Sequence, residues 1–174
     1  SESRPIGIPD SQIEQLAIPT TDGAGELDTY FIQSHGTDLE LAQTTVLFNH
    51  GNFGGIEYYA SRVRLVYEMG FNVVVWEYRG YGKSKPNRVP TANQFFEDAE
   101  LILERTEEFA PDSSKILYYG MSLGTAPATH QVGVREPCAL VLEVPFSGFG
   151  PIHQETASIG LPESYLVTGD YNNA

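Results

Sequence analysis

The chain reads as an α/β domain built on a mostly parallel sheet with helices on both faces, and two observations predict it. Short, near-continuous apolar runs at 45–49, 73–76, 115–119 and 139–144 have the length and composition of strands buried on both sides. Between them lie longer stretches, at 56–69, 90–109 and 125–132, whose apolar residues recur at helical spacing. Alternation of the two is the pattern of parallel strands joined by crossover helices. With 174 residues, 41% of them hydrophobic, the chain can bury a real core in one domain and is not expected to be disordered.

Taken in order, residues 1–26 read as an N-terminal arm and first strand region, and 27–174 as the body of the domain. Three prolines fall in residues 1–20, leaving room for one short strand at 13–18. TTDGAG at 20–25 is a turn cluster in which Gly23 and Gly25 can take positive φ. LDTYFI at 27–32 and TVLFN at 45–49 have strand propensity, and the second runs straight into His50-Gly51-Asn52-Phe53-Gly54-Gly55. The helix expected at 56–69 gathers Tyr59, Val63, Val66 and Tyr67 on one face, and Gly70 stops it.

VVVW at 73–76 is the next strand. The helix expected at 90–109 turns Phe95, Ala99, Ile102 and Leu103 inward. Its Glu97, Glu100, Glu104, Glu107 and Glu108 form a solvated face, not a metal site. KILYY at 115–119 is a strand leading into Gly120-Met121-Ser122-Leu123-Gly124, and a helix follows at 125–132. Pro127 is tolerated there because the first turn has no intrahelical partner for its missing N–H. Cys138, the only cysteine, excludes an internal disulfide and is expected to be a small buried hydrophobe. After the run at 139–144 no further clear strand pattern occurs.

Two of these joints carry chemistry. G-x-S-x-G between a strand and a helix is a nucleophile elbow, which holds Ser122 at the tip of a sharp, strained turn. The small residues Gly120 and Gly124 let strand and helix approach, and the helix N-terminus frees the Leu123 N–H for a developing oxyanion. Upstream, the loop His50-Gly51-Asn52 after the third strand offers a second donor, the Asn52 N–H.

Together these segments resemble the α/β-hydrolase superfamily, in its serine-hydrolase branch with an H-G-N oxyanion loop (esterases, lipases and peptidases). WEYRGYGKS at 76–84 resembles the turn after the fourth strand of that family, and LVLEVPF at 140–146 resembles the sixth strand and its exit. The resemblance covers residues 27–174 and extends to the N-terminal part of the family's domain only. It implies Ser122 as nucleophile, Asn52 and Leu123 N–H groups as oxyanion donors, and His50 as a residue that braces its loop. The family places its catalytic acid after a seventh strand and its histidine after an eighth, and this chain stops before either. A second polypeptide or a missing C-terminal segment is therefore expected to complete both sheet and triad.

The remaining acid and base candidates each meet an objection. Glu143 ends the sixth strand and His153 follows it, but pairing them demands a loop folded back over Ser122. Asp170 sits in GDYNN at 169–173, with no clear strand before it. His35 precedes the third strand, at the wrong end of the sheet. His130 lies eight residues beyond Ser122, about 12 Å along a helix. Arg79 and Tyr81 are read as loop-stabilising.

Ten basic against 23 acidic residues give a net charge of −13, a field that disfavours nucleic acid and anionic membranes. No apolar run reaches the length of a membrane span. A soluble protein is expected, its compartment open. The start at Ser1 is compatible with secretion to the periplasm or beyond after processing. No cofactor and no metal are implied. The expected activity is cleavage of an ester, thioester or amide of a small-molecule acyl substrate through an acyl-enzyme on Ser122. The alternative is a non-catalytic binding or scaffold protein that kept the fold. Haloalkane or epoxide chemistry is disfavoured, since it uses a carboxylate nucleophile where this chain has Ser122.

Overall fold

A computed structural model describes residues 7–145 of the chain. Six strands form one sheet: β1 (Ile13–Pro19), β2 (Glu26–Ile32), β3 (Thr45–Asn49), β4 (Asn72–Trp76), β5 (Ile116–Met121) and β6 (Ala139–Glu143). Their order across the sheet is β1-β2-β4-β3-β5-β6. β2 is antiparallel to both neighbours, and β4, β3, β5 and β6 run parallel. The helices are α1 (Leu39–Gln43), α2 (Ile56–Glu68), α3 (Ala92–Phe109) and α4 (Thr125–Val134).

Side-chain alternation along the strands divides the core into two layers. In β4, Val73 and Val75 join Tyr30, Ile32 and Phe48 against Ile56, Tyr59, Val63 and Tyr67 of α2. Val74 and Trp76 face the other way, joining Leu27, Leu47, Ile116 and Tyr118 against Phe95, Ala99 and Ile102 of α3 and Ala126 and Ala128 of α4. The chain winds outward from β3 in both directions, to β4 through α2 and to β6 through β5 and α4. Parallel crossovers keep one hand, so reversing the direction of travel puts α2 on the opposite face from α4. The ends of β3 and β5 therefore lie at the switch point of the sheet, where open α/β sheets leave a crevice.

The helix ends follow from local chemistry. Asp38 caps α1 by accepting from the N–H groups of Glu40 and Leu41. Thr91 and Gln94 form a reciprocal capping box at α3, worth about 1 kcal/mol. The helix thus begins at Ala92, with Pro90 outside it. Gly70 follows α2 with φ 102°, as a helix-stopping glycine should. A buried polar chain ties the layers: Trp76 Nε1 donates to Asn49 Oδ1 at 2.9 Å, and Asn49 Nδ2 donates to Gln131 Oε1 at 3.0 Å. Gln131 Nε2 in turn donates to the Ala99 carbonyl at 2.9 Å. Each group is satisfied, which is what makes such burial tolerable.

Three expectations need correction. Cys138 is exposed, because among the described residues nothing packs beyond β6. Of the two turn glycines, only Gly23 takes positive φ, at 65°. Gly25 is needed for room instead, since a Cβ there would stand 1.9 Å from the Lys85 carbonyl oxygen. The short helix α1 was not anticipated, having too few residues to show a period. His153 and Asp170 lie outside the described residues.

Candidate active site

β5 ends at Met121, and Ser122–Gly124 make one 3₁₀ turn before α4 begins. Ser122 takes φ 50°, a left-handed conformation that costs a non-glycine residue about 1–2 kcal/mol. Such strain persists only where the surroundings enforce it. Here they do so through close backbone approach. A Cβ on Gly124 would stand 2.0 Å from the Asn49 carbonyl oxygen, and one on Gly120 would stand 2.5 Å from the Gly124 carbonyl oxygen. The two glycines of the motif are thus fixed by sterics, and they draw the elbow against the end of β3. Thr125 Oγ1 donates to the Ser122 carbonyl at 2.7 Å and closes the turn.

The loop after β3 meets the elbow at this point, as the register Asn49–Gly120 requires. A Cβ on Gly51 would stand 2.6 Å from the Tyr59 hydroxyl and 3.4 Å from the Met121 carbonyl oxygen. Asn52 is exposed, and Tyr81 holds it from above: its hydroxyl donates to Asn52 Oδ1 at 2.5 Å and to the Asn52 carbonyl at 3.0 Å. Beside it, Phe53 and Tyr58 pack edge to face with centroids 4.8 Å apart. Leu123 is buried under the elbow.

His50 is fully buried. Its Nδ1 lies 2.8 Å from the Gly51 carbonyl oxygen, its Nε2 3.3 Å from Glu77 Oε2, and its ring stacks on Tyr78 at 4.1 Å. Tyr78 donates to the His50 carbonyl at 2.5 Å, and burial pushes its hydroxyl well above the usual range. Both imidazole nitrogens face partners inside the fold. His35 stacks on Tyr67 at 4.3 Å, and His130 pairs with Glu100 at 2.7 Å. Among the described residues, no side chain hydrogen-bonds the Ser122 hydroxyl.

Glu143 stands opposite Met121 in the register of β6 and β5. Its carboxylate is taken up by Arg62 of α2 at 2.7 Å and by the Tyr119 hydroxyl, so it braces the sheet against α2. Burial, then Glu143 itself, pushes Tyr119 up to about 12. Among the described residues, no group of three His, Cys, Asp or Glu side chains could hold a metal ion. No described helix is long and apolar enough to cross a membrane.

Glu77 was not read from the sequence, and Arg79 was read only as loop-stabilising. Glu77 is 1% exposed and accepts from the Ile56 N–H at 2.8 Å. Arg79, also 1% exposed, binds Asp98 with Nε at 2.7 Å and Nη2 at 2.8 Å, and Asp22 with Nη1 at 2.7 Å. The available signal was a pair of charges in VVVWEYRGYG, where an unpaired charge would not survive burial.

A family model described as serine aminopeptidase, S33, matches residues 41–159. An uncharacterized protein of Mycobacterium tuberculosis is 30% identical over 138 residues, which cover 79% of this chain and 47% of that protein. Escherichia coli YfhR is 26% identical over 165 residues, covering 91% of this chain and 55% of YfhR. The chain therefore spans about half the length of these relatives. Among solved structures, a lidless α/β serine hydrolase of Xanthomonas campestris aligns with a TM-score of 0.63 at 18% identity, covering 78% of this chain and 62% of that one. An esterase of Pyrococcus furiosus aligns with a TM-score of 0.59 at 21% identity, covering 74% and 50%. At such identities the likeness is one of fold alone.

Proposed function

This chain belongs to the serine aminopeptidase S33 family, within the α/β hydrolases, and from that premise we propose that it carries the nucleophile and oxyanion half of a serine hydrolase. Ser122 attacks the carbonyl carbon of an ester, thioester or amide and forms an acyl-enzyme, which water then releases. The Asn52 and Leu123 N–H groups hold the oxyanion of each tetrahedral intermediate. The observation that carries this reading is Ser122 at φ 50° on a strand-to-helix turn, with Gly124 and Gly120 leaving room for backbone at 2.0 and 2.5 Å from where a Cβ would stand.

Base and acid come from a C-terminal segment, in the same polypeptide or a separate one. Among the described residues His50 and His130 face Glu77 and Glu100, His35 stacks on Tyr67, and Glu143 is engaged by Arg62. The segment also supplies a strand along β6, whose Leu140, Val141 and Leu142 are 36–40% exposed. Labelling of the intact protein with a fluorophosphonate tests the reading. A covalent adduct on Ser122 is expected. An intact protein that is folded, carries histidine and acid, and takes no label at Ser122 would instead support a non-catalytic scaffold.

A further inference from the structure

We propose that Glu77 is a positioning residue of the oxyanion site, acting through His50 to aim the Asn52 N–H; this rests on the reading of Ser122 and Asn52 given above. Glu77 lies just after β4, and its carboxylate is buried, which demands partners. Oε1 accepts the Ile56 N–H at 2.8 Å, one of the donors that the first turn of α2 leaves without an intrahelical partner. Oε2 faces His50 Nε2 at 3.3 Å, and both atoms are buried with no hydrogen-bond partner among the described residues. Glycines make the room. A Cβ on Gly55 would stand 2.4 Å from Glu77 Oε1, and one on Gly82 2.5 Å from the same atom.

The far side of the imidazole carries the consequence. Nδ1 lies 2.8 Å from the Gly51 carbonyl oxygen, which can only accept, so Nδ1 bears a proton in this contact. That carbonyl shares a trans peptide plane with the Asn52 N–H, and the two point in opposite directions. Holding the carbonyl inward on His50 therefore turns the Asn52 N–H outward, and the hydrogen bond polarises it as a donor. Glu77 fixes where the ring stands. Its Oε2 lies against Nε2 at 3.3 Å while Oε1 is tied to the start of α2, so the imidazole is held between α2 and the Gly51 carbonyl. Without the carboxylate nothing polar holds Nε2, and the ring is free to turn. A turned ring takes Nδ1 off the Gly51 carbonyl and releases the peptide.

The test uses the intact protein with Glu77→Met and Glu77→Gln. Methionine fills the space but offers no hydrogen bond. Glutamine can still accept from Ile56 N–H and donate its amide to Nε2, which keeps the Nδ1–H tautomer. Glu77→Met is expected to lower kcat about 10²-fold on an activated ester with KM within about twofold, the loss typical of one oxyanion donor. Binding of a trifluoromethyl ketone, which mimics the tetrahedral intermediate, falls by the same factor. Glu77→Gln recovers to within about tenfold of the parent. Imidazole ¹⁵N shifts show Nδ1 of His50 protonated in the parent and the glutamine variant. A methionine variant with unchanged kcat and ketone affinity overturns the proposal, as does a parent spectrum with bare Nδ1. Should the methionine variant not fold, the parent spectrum decides: protonated Nδ1 supports the proposal and bare Nδ1 overturns it. Turnover that survives Ser122→Ala would sink the reading of the site itself, whereas Ser122-dependent turnover indifferent to Glu77→Met sinks only this inference.

Discussion

Strands β3 and β6 carry closely similar side chains, TVLFN against ALVLE, yet Leu47 is 0% exposed and Leu140 is 40% exposed. β3 lies between β4 and β5, with α2 on one face and α3 and α4 on the other. Among the described residues β6 pairs with β5 alone. The difference shows that the apolar character of a strand states what it is suited to, while its neighbours set how much of it is buried. It also divides the labour. The centre of the sheet holds the strained elbow and its glycine contacts, and the β6 edge is a surface suited to a further strand.

The largest effect expected is at the centre. Ser122→Ala should lower ester turnover about 10⁴-fold or more while leaving the unfolding midpoint unchanged. Retained turnover would remove the chemistry from the centre of the sheet.

The comparison itself is sharpened by matched truncations. Leu47→Ala should cost about 2–5 kcal/mol by chemical denaturation, since it opens a cavity with packed walls. In the described surroundings Leu140→Ala should cost under about 1 kcal/mol. If a partner strand covers β6 in the intact protein, the two costs converge there and the amides of 139–143 gain protection from hydrogen exchange on both sides. Costs that stay apart would break the proposed pairing.

A third contrast uses one chemical change in two places. Gly124→Ala should destabilise by about 1–3 kcal/mol, because its new methyl meets backbone at 2.0 Å. Gly133, inside α4, has nothing within 4 Å of an added Cβ, so Gly133→Ala should stabilise by about 0.5–1 kcal/mol. Thermal unfolding of both variants checks the opposite signs.

The smallest effect is electrostatic. The Arg79 guanidinium, helped by Thr20, holds the Asp22 carboxyl far below the usual range. A carboxyl lowered in the folded state contributes its stability above its unfolded value of about 3.9, and loses it as pH falls through the folded value. Asp22→Asn should therefore cost stability at neutral pH by a constant amount down to about pH 5, with the difference shrinking only below about pH 4. A difference that vanishes at neutral pH would separate the turn at 20–25 from the α3 side of the core.

Residue order was enough to locate the parallel strands β3, β4, β5 and β6, because buried parallel strands are runs of apolar residues and a run needs no knowledge of its neighbours. It was enough, too, to single out Ser122, whose flanking glycines mark a tight joint wherever strand meets helix. What only the tertiary structure decided is which polar groups meet. Glu77 reaches Ile56 and His50, and Arg79 reaches Asp98 and Asp22, across separations of 19–57 residues. No local period encodes such pairs. Cys138 looked fit for burial before β6. The fold left it exposed and paired Glu143 with Arg62, because partners and burial are properties of the space around a side chain.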